Sequence, residues 1–206
     1  MLPFEHLNLR RNPFGELSAD ERTQLAMVDL DAAVQHLLRS RETRHRPVVQ
    51  FVGDKGFGKT THLLALAAKF PDSVYLYIPE DERRAVPSHG EPLFVDEAQR
   101  LTLWQRIRLF RSHRTLILGT HRDFTRQLQT AGRDVLTLAA NRLTSPDRIA
   151  TILNARIQAV RRTDAPTPSI SLATADRLFN QFGPDIRSIQ YSLYDVFQRL
   201  RSIKDV

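Results

Sequence analysis

The sequence predicts an α/β fold, a doubly wound parallel five-stranded sheet with a small C-terminal lid of three helices. Three observations carry that expectation. Between residues 48 and 140, apolar runs of strand length alternate with helix-like segments. Those runs lack period-two alternation, as central strands covered on both faces do. Beyond residue 140 the pattern turns to helices alone. The expected division is an N-terminal arm and helix at 1–47, a sheet core at 48–140 and a helical lid at 141–206.

The arm holds "LNLRRNPF" and a helical stretch, "MVDLDAAVQHLLRS". The predicted strands are "VVQFV" (48–52), "SVYLYI" (73–78), "LFV" (93–95), "TLILGT" (115–120) and "DVLTLA" (134–139). Between them, "KTTHLLALAAKF" places Leu63, Leu66 and Ala67 at helical spacing, and "TLWQRIRLFRSH" does so with Leu103, Ile107 and Phe110. "DFTRQLQTAG" is a shorter helix that Gly132 would stop. The segment 79–92, "PEDERRAVPSHGEP", carries three prolines and a glycine, so a loop is expected where a crossover helix would normally lie. In the lid, Ser145 is a fitting N-cap with Pro146 at the first helical position, and Ile149, Ile152, Leu153, Ile157 and Val160 share one face. "SLATADRLFNQFG" and "PDIRSIQYSLYDVFQRLRSI" complete the three helices. No internal repeat or low-complexity tract interrupts the chain.

A chain of 206 residues can bury its own core, and the absence of cysteine removes any disulfide framework or thiolate-bound metal. With no signal-peptide pattern and no apolar run of about 18 residues, a soluble cytoplasmic protein is expected. The formal charge of +7 arises from 30 basic residues, only four of them lysine. Such a balance fits a phosphate-rich partner, duplex DNA first, and fits equally well an arginine-rich codon bias. The candidate phosphate-facing strips are "RIRLFRSHR" (106–114) and "RIQAVRR" (156–162), both also amphipathic helices with solvated faces.

Chemistry enters with "GDKGFGKTTH", which follows the first strand and fits Gly-x-x-x-x-Gly-Lys-[Ser/Thr]. Between a strand and a helix, this pattern is a P-loop. The backbone N–H groups of Asp54, Lys55, Gly56, Phe57, Gly58 and Lys59 would cradle phosphates, with Gly53, Gly56 and Gly58 giving the loop its permissive torsions; Lys59 would reach the β- and γ-phosphates of ATP, and the Thr60 hydroxyl, followed by Thr61, would ligate Mg²⁺. "PLFVDEAQ" then ends a strand with two carboxylates. Asp96 is the candidate metal ligand and Glu97 the candidate base for an attacking water. At the tip of "TLILGTHRDF", Thr120 or His121 is placed to contact the γ-phosphate or that water. Among the seven histidines no His-x-x-x-His pair occurs, so no metal site beyond Mg²⁺ is expected.

With these motifs, "FGPDIRSIQYSL" resembles the sensor-2 segment of AAA+ ATPases. The resemblance covers roughly residues 4–200 and implies that Arg187 folds over the γ-phosphate, although Pro184 stands where that family usually has glycine. It also implies a homo-oligomer whose neighbouring copy supplies an arginine, with Arg133 in "TAGRDVLTL" as first candidate and Arg126 in reserve. The N-terminal segment is similar to that of general secretion pathway A type, transposition helper and replication-initiator ATPases. By that similarity Pro13 and Phe14 either lie near the adenine or staple the arm to the core. The implied activity is hydrolysis of Mg·ATP to drive an assembly or remodelling switch on DNA or a DNA-bound protein partner. The alternative is a nucleotide-gated interaction switch or scaffold, in an envelope, secretion or signalling complex, with little turnover.

Overall fold

Five strands, β1 (Pro47–Val52), β2 (Val74–Tyr77), β3 (Leu93–Asp96), β4 (Leu116–Thr120) and β5 (Asp134–Ala139), form one sheet in this computed structural model. All pair in parallel, in the order β2-β3-β4-β1-β5, and each lies within one residue of its apolar run at either end. The structure describes residues 3–18, 21, 25, 30–42 and 46–206. Among these are seven α-helices: α1 (Asp31–Glu42), α2 (Lys59–Ala67), α3 (Leu103–Arg111), α4 (Thr125–Thr130), α5 (Pro146–Ala159), α6 (Leu172–Phe182) and α7 (Ile186–Arg199). No described helix is long and apolar enough to cross a membrane.

The chain divides into two compact units. Val28–Ala140 forms one, and Met1–Met27 joins Asn141–Val206 in the other. The expected segment 1–47 is therefore shared between them: its arm groups with the C-terminal helices and α1 with the sheet. Residues 27–29 of the predicted arm helix lie outside the described residues.

In the sheet unit, residues of one parity, including Leu93, Val95, Leu116 and Leu118, form a core with Leu109 and Phe110 of α3 and Leu128 of α4. Residues of the other parity, including Phe51, Phe94 and Ile117, are also fully buried, and α2 packs on this face with Leu63 and Leu66 inside. Burial on both faces is why the strands read as unbroken apolar runs. The predicted stripe on α3 needs correction. Leu103 and Trp104 are exposed, at 59% and 80%, while Leu109 and Phe110 are buried, because only the last turn of the helix meets the sheet. Thr102 and Gln105 cap its start reciprocally in a capping box.

No helix or strand forms between β2 and β3, as the proline-rich composition of 79–92 predicts. Arg114 holds this loop by donating to the carbonyls of Pro87 (2.6 Å), His89 (2.7 Å) and Gly90. Gly132 is left-handed (φ 74°) just past α4, as expected of a helix stop.

The helical unit has its own core, in which Ile149, Leu153, Ile157, Ile189, Leu193 and Phe197 are buried together. The Ser145 side chain accepts from the N–H of Arg148, the capping arrangement expected at the start of α5.

Candidate functional site

The phosphate-loop residues follow β1 and lead into α2. Gly56 (φ 95°) and Gly58 (φ 78°) are left-handed, a conformation that costs little only without a Cβ. Gly58 is the N-cap of α2 and supplies no side-chain cap, so the first-turn N–H groups are not claimed by a capping oxygen. At Gly53 a Cβ would meet Ala140 Cβ at 3.0 Å and the Phe57 ring at 3.2 Å, so the strand-to-loop turn also needs glycine. Lys59 is 5% exposed, and its Nζ donates to the Asp54 carbonyl at 2.9 Å, within the loop itself.

Asp96, fully buried at the end of β3, is held by three donors. Its Oδ2 accepts from the Thr60 hydroxyl (2.7 Å) and the Tyr75 hydroxyl (2.9 Å), and its Oδ1 from the N–H of Glu97 (3.0 Å). Hydrogen bonds of this kind hold a buried carboxyl group in one orientation. Thr60 and Asp96, the two sequence-assigned metal residues, are thus in direct contact.

Glu97 has a left-handed backbone (φ 62°), uncommon for a residue with a side chain and characteristic of functional turns. Its carboxylate accepts from Gln99 Nε2 (2.7 Å) and pairs with Arg100 at 3.5 Å. His121 Nε2 lies 3.4 Å from Glu97 Oε1 and 3.4 Å from Lys59 Nζ. A proton on Nε2 directs the ring to Glu97; without one, the nitrogen is an acceptor for Lys59.

Of the two candidates at the tip of β4, His121 is the one facing the other site groups. The Thr120 hydroxyl is engaged in its own turn, donating to the Arg122 carbonyl (2.9 Å) and accepting from the Arg122 N–H (3.0 Å).

Arg133 does not fit the expected role between subunits. It is 5% exposed and its guanidinium donates to the backbone carbonyls of Ser112 (2.6 Å) and Arg114. Burial, aided by the nearby Arg46 cation, lowers its pKa to about 10. Arg126, the reserve candidate, is exposed, and with Arg106 and Arg111 it lines a groove of about 400 Å³ over Ile107 and Phe110.

Three further sequence candidates belong to the helical unit. Phe14 is 6% exposed and packs edge-on against Phe197 at 5.0 Å. Pro13 is buried beside it, and its carbonyl accepts from Arg156 Nε at 2.9 Å. That bond, with another to Gly15, removes Arg156 from the expected basic strip at 156–162. Arg187 is exposed in the first turn of α7, and its N–H is capped by Asp185.

Two site residues were not singled out in the sequence. Tyr75 had a signal, since a tyrosine in a buried strand requires a partner for its hydroxyl. Gly119 had one too, because glycine inside a strand marks a close approach. A Cβ there would lie 2.6 Å from Asp96 Oδ1.

The donor set suits Mg²⁺ bound jointly with phosphate. It offers one hydroxyl and one carboxylate, while no group of three His, Cys, Asp or Glu side chains among the described residues could hold an ion alone.

No protein-family model matches the chain, and no curated protein gives a significant sequence match. Solved structures do match in fold. Two point variants of RuvB from Thermotoga maritima superpose with TM-scores of 0.54 and 0.53, at 16% and 18% identity. Each match covers 93% of this chain and 69% of that one. RuvB is an AAA+ P-loop ATPase, and the five-stranded parallel sheet with flanking helices is its fold.

Proposed function

We propose that the chain binds and hydrolyses Mg·ATP as an AAA+ type ATPase, and that the cycle drives an assembly or remodelling switch on duplex DNA or a DNA-bound protein partner. The observation that carries the reading is the convergence of Lys59, Thr60, Asp96, Glu97 and His121 at the carboxyl ends of adjacent strands β1, β3 and β4. In open α/β sheets this end is where ligands bind.

In this reading the loop N–H groups and Lys59 hold the β- and γ-phosphates, and Thr60 and Asp96 hold Mg²⁺. The ion, when bound, neutralises charge on the transferring phosphoryl group. Glu97 orients and deprotonates the attacking water, and His121 sits where it can hand Lys59 and Glu97 between a resting and a loaded arrangement. Arg187 is assigned to the γ-phosphate on its Pro-Asp-x-Arg segment, and the protein is expected to act as a homo-oligomer.

Glu97→Gln tests the chemistry. Turnover should fall by a factor of about 10² to 10⁴, the usual worth of a general base, while ATP binding is kept. Turnover near wild type would sink the assignment. The partner is tested by measuring ATPase rate per molecule against protein concentration, with and without duplex DNA at two salt concentrations. Stimulation by DNA that weakens steeply with salt supports the DNA reading.

A low rate, flat in both variables, would favour the nucleotide-gated switch. That alternative draws on one observation: Arg114 and Arg156, members of the two basic strips, are committed to backbone carbonyls of their own units.

A further inference from the structure

Resting on that reading of the site, we propose that Tyr75 is a positioning residue for the metal: its hydroxyl sets the orientation of Asp96, and through it the affinity for the divalent cation that accompanies the nucleotide.

Two of the three donors to Asp96, the Thr60 hydroxyl and the N–H of Glu97, come from the phosphate-loop helix and the residue after β3. Both groups belong to segments that are bound up with the ligand and the attacking water. Tyr75 is different. It comes from β2, the edge strand, whose own pairing to β3 fixes its register at Tyr75 opposite Phe94. Its ring lies nearly parallel to that of Phe94, at 19° with centroids 6.4 Å apart, so the phenol is oriented by packing before any ligand arrives. From there the hydroxyl reaches Asp96 Oδ2 at 2.9 Å.

The bond has one direction: the phenol hydroxyl donates and the carboxylate oxygen accepts. Thr60 and Tyr75 share Oδ2 while Glu97 N–H takes Oδ1. When the Thr60 hydroxyl turns a lone pair to a cation, Tyr75 still holds Oδ2. A carboxylate with a fixed rotamer loses less freedom on meeting a cation or its hydration shell. Partners of this outer kind typically account for 10- to 100-fold in metal affinity.

The test is Tyr75→Phe, which removes the hydroxyl and keeps the ring against Phe94. Mn²⁺ is the probe, titrated into protein saturated with the non-hydrolysable analogue AMP-PNP, with free Mn²⁺ followed by its electron paramagnetic resonance signal. Binding of a fluorescent ATP analogue in EDTA measures nucleotide affinity without metal. The expected result is Mn²⁺ affinity weakened about 10- to 100-fold with metal-free nucleotide affinity unchanged. Tyr77→Phe, altering an exposed neighbour on the same strand, should leave both unchanged. Equal Mn²⁺ affinity in Tyr75→Phe and wild type overturns the inference. So does a parallel fall in metal-free binding, which would make Tyr75 a general packing residue. If the wild type binds neither the nucleotide nor Mn²⁺, the proposed function itself is refuted, a result distinguishable from the other two.

Discussion

Gly119→Ala should be far more disruptive than an added methyl group in a strand ordinarily is. Gly119 lies within β4 and is not left-handed, so alanine adds no backbone strain, and on chain entropy alone it would stabilise by about 0.4–1 kcal/mol. The new Cβ would stand 2.6 Å from Asp96 Oδ1 and 3.2 Å from Leu63 Cδ2. Ordinary contact begins near 3.4 Å, so the carboxylate must retreat by roughly 0.8 Å into a site where Asp96 is fully buried. Overpacking costs about 1–3 kcal/mol, and losing a charge-assisted bond such as that from the Glu97 N–H costs about 1.5–3 kcal/mol. The net expectation is destabilisation of about 2–5 kcal/mol, with Mg²⁺-dependent nucleotide binding weakened beyond the metal-free value. Urea unfolding and the paired binding measurements read the two effects separately. Stability within about 0.5 kcal/mol of wild type, with unchanged Mg²⁺ dependence, would refute the claim that β4 leaves room for this carboxylate.

Two other outcomes follow from the same geometry. Arg133→Met should cost about 1–3 kcal/mol by leaving the Ser112 and Arg114 carbonyls without their donor, with turnover per folded molecule unchanged. A large loss of turnover at unaltered stability, restored by mixing with Lys59→Ala subunits, would return Arg133 to a role between copies. Asp123→Asn tests a pH effect. The Thr125 hydroxyl, then the Thr125 N–H and Gln50, hold the Asp123 carboxyl below its ordinary value of 3.8. A carboxyl whose pKa is lower folded than unfolded stabilises above the unfolded value and loses that contribution as pH falls through the folded one. The stability gap between wild type and Asp123→Asn should therefore be widest above about pH 5 and narrow below 3.8. A gap constant across that range would contradict the assignment.

The sheet and the phosphate loop were legible because each rests on local pattern. Apolar runs buried on both faces mark the strands, and the glycine-lysine-threonine spacing marks the turn into α2. Asp96 and Glu97 were legible for a similar reason, as acidic residues at the end of such a run. Tyr75 and Gly119 were not singled out, because their importance lies in contacts to Asp96 from two other strands. The burial of Arg133 was not legible, because sequence position does not say whether a guanidinium points outward or into a loop. For the stripe on α3, spacing specified an apolar face but not how much of the helix reaches the sheet, and the first turn runs free. The Phe197 ring against which Phe14 packs lies 183 positions along the chain, a contact no local pattern marks.

The arginine contacts around 79–92 also bear on how much substitution this segment can take. Arg133 donates to the Arg114 carbonyl, and the Arg114 guanidinium in turn clasps the carbonyls of Pro87, His89 and Gly90. Because those bonds go to main-chain oxygens, Pro87 and His89 could change side chain without losing them, whereas Gly90, left-handed and with a Cβ position 2.1 Å from Val74 Cγ2, could not. The exposed residues 80–85 can thus vary in sequence while the base of the loop keeps its shape, like a replaceable bit in a fixed chuck, whereas Val86 is packed against the sheet core. Substitutions there would leave the packing of the sheet beneath it undisturbed.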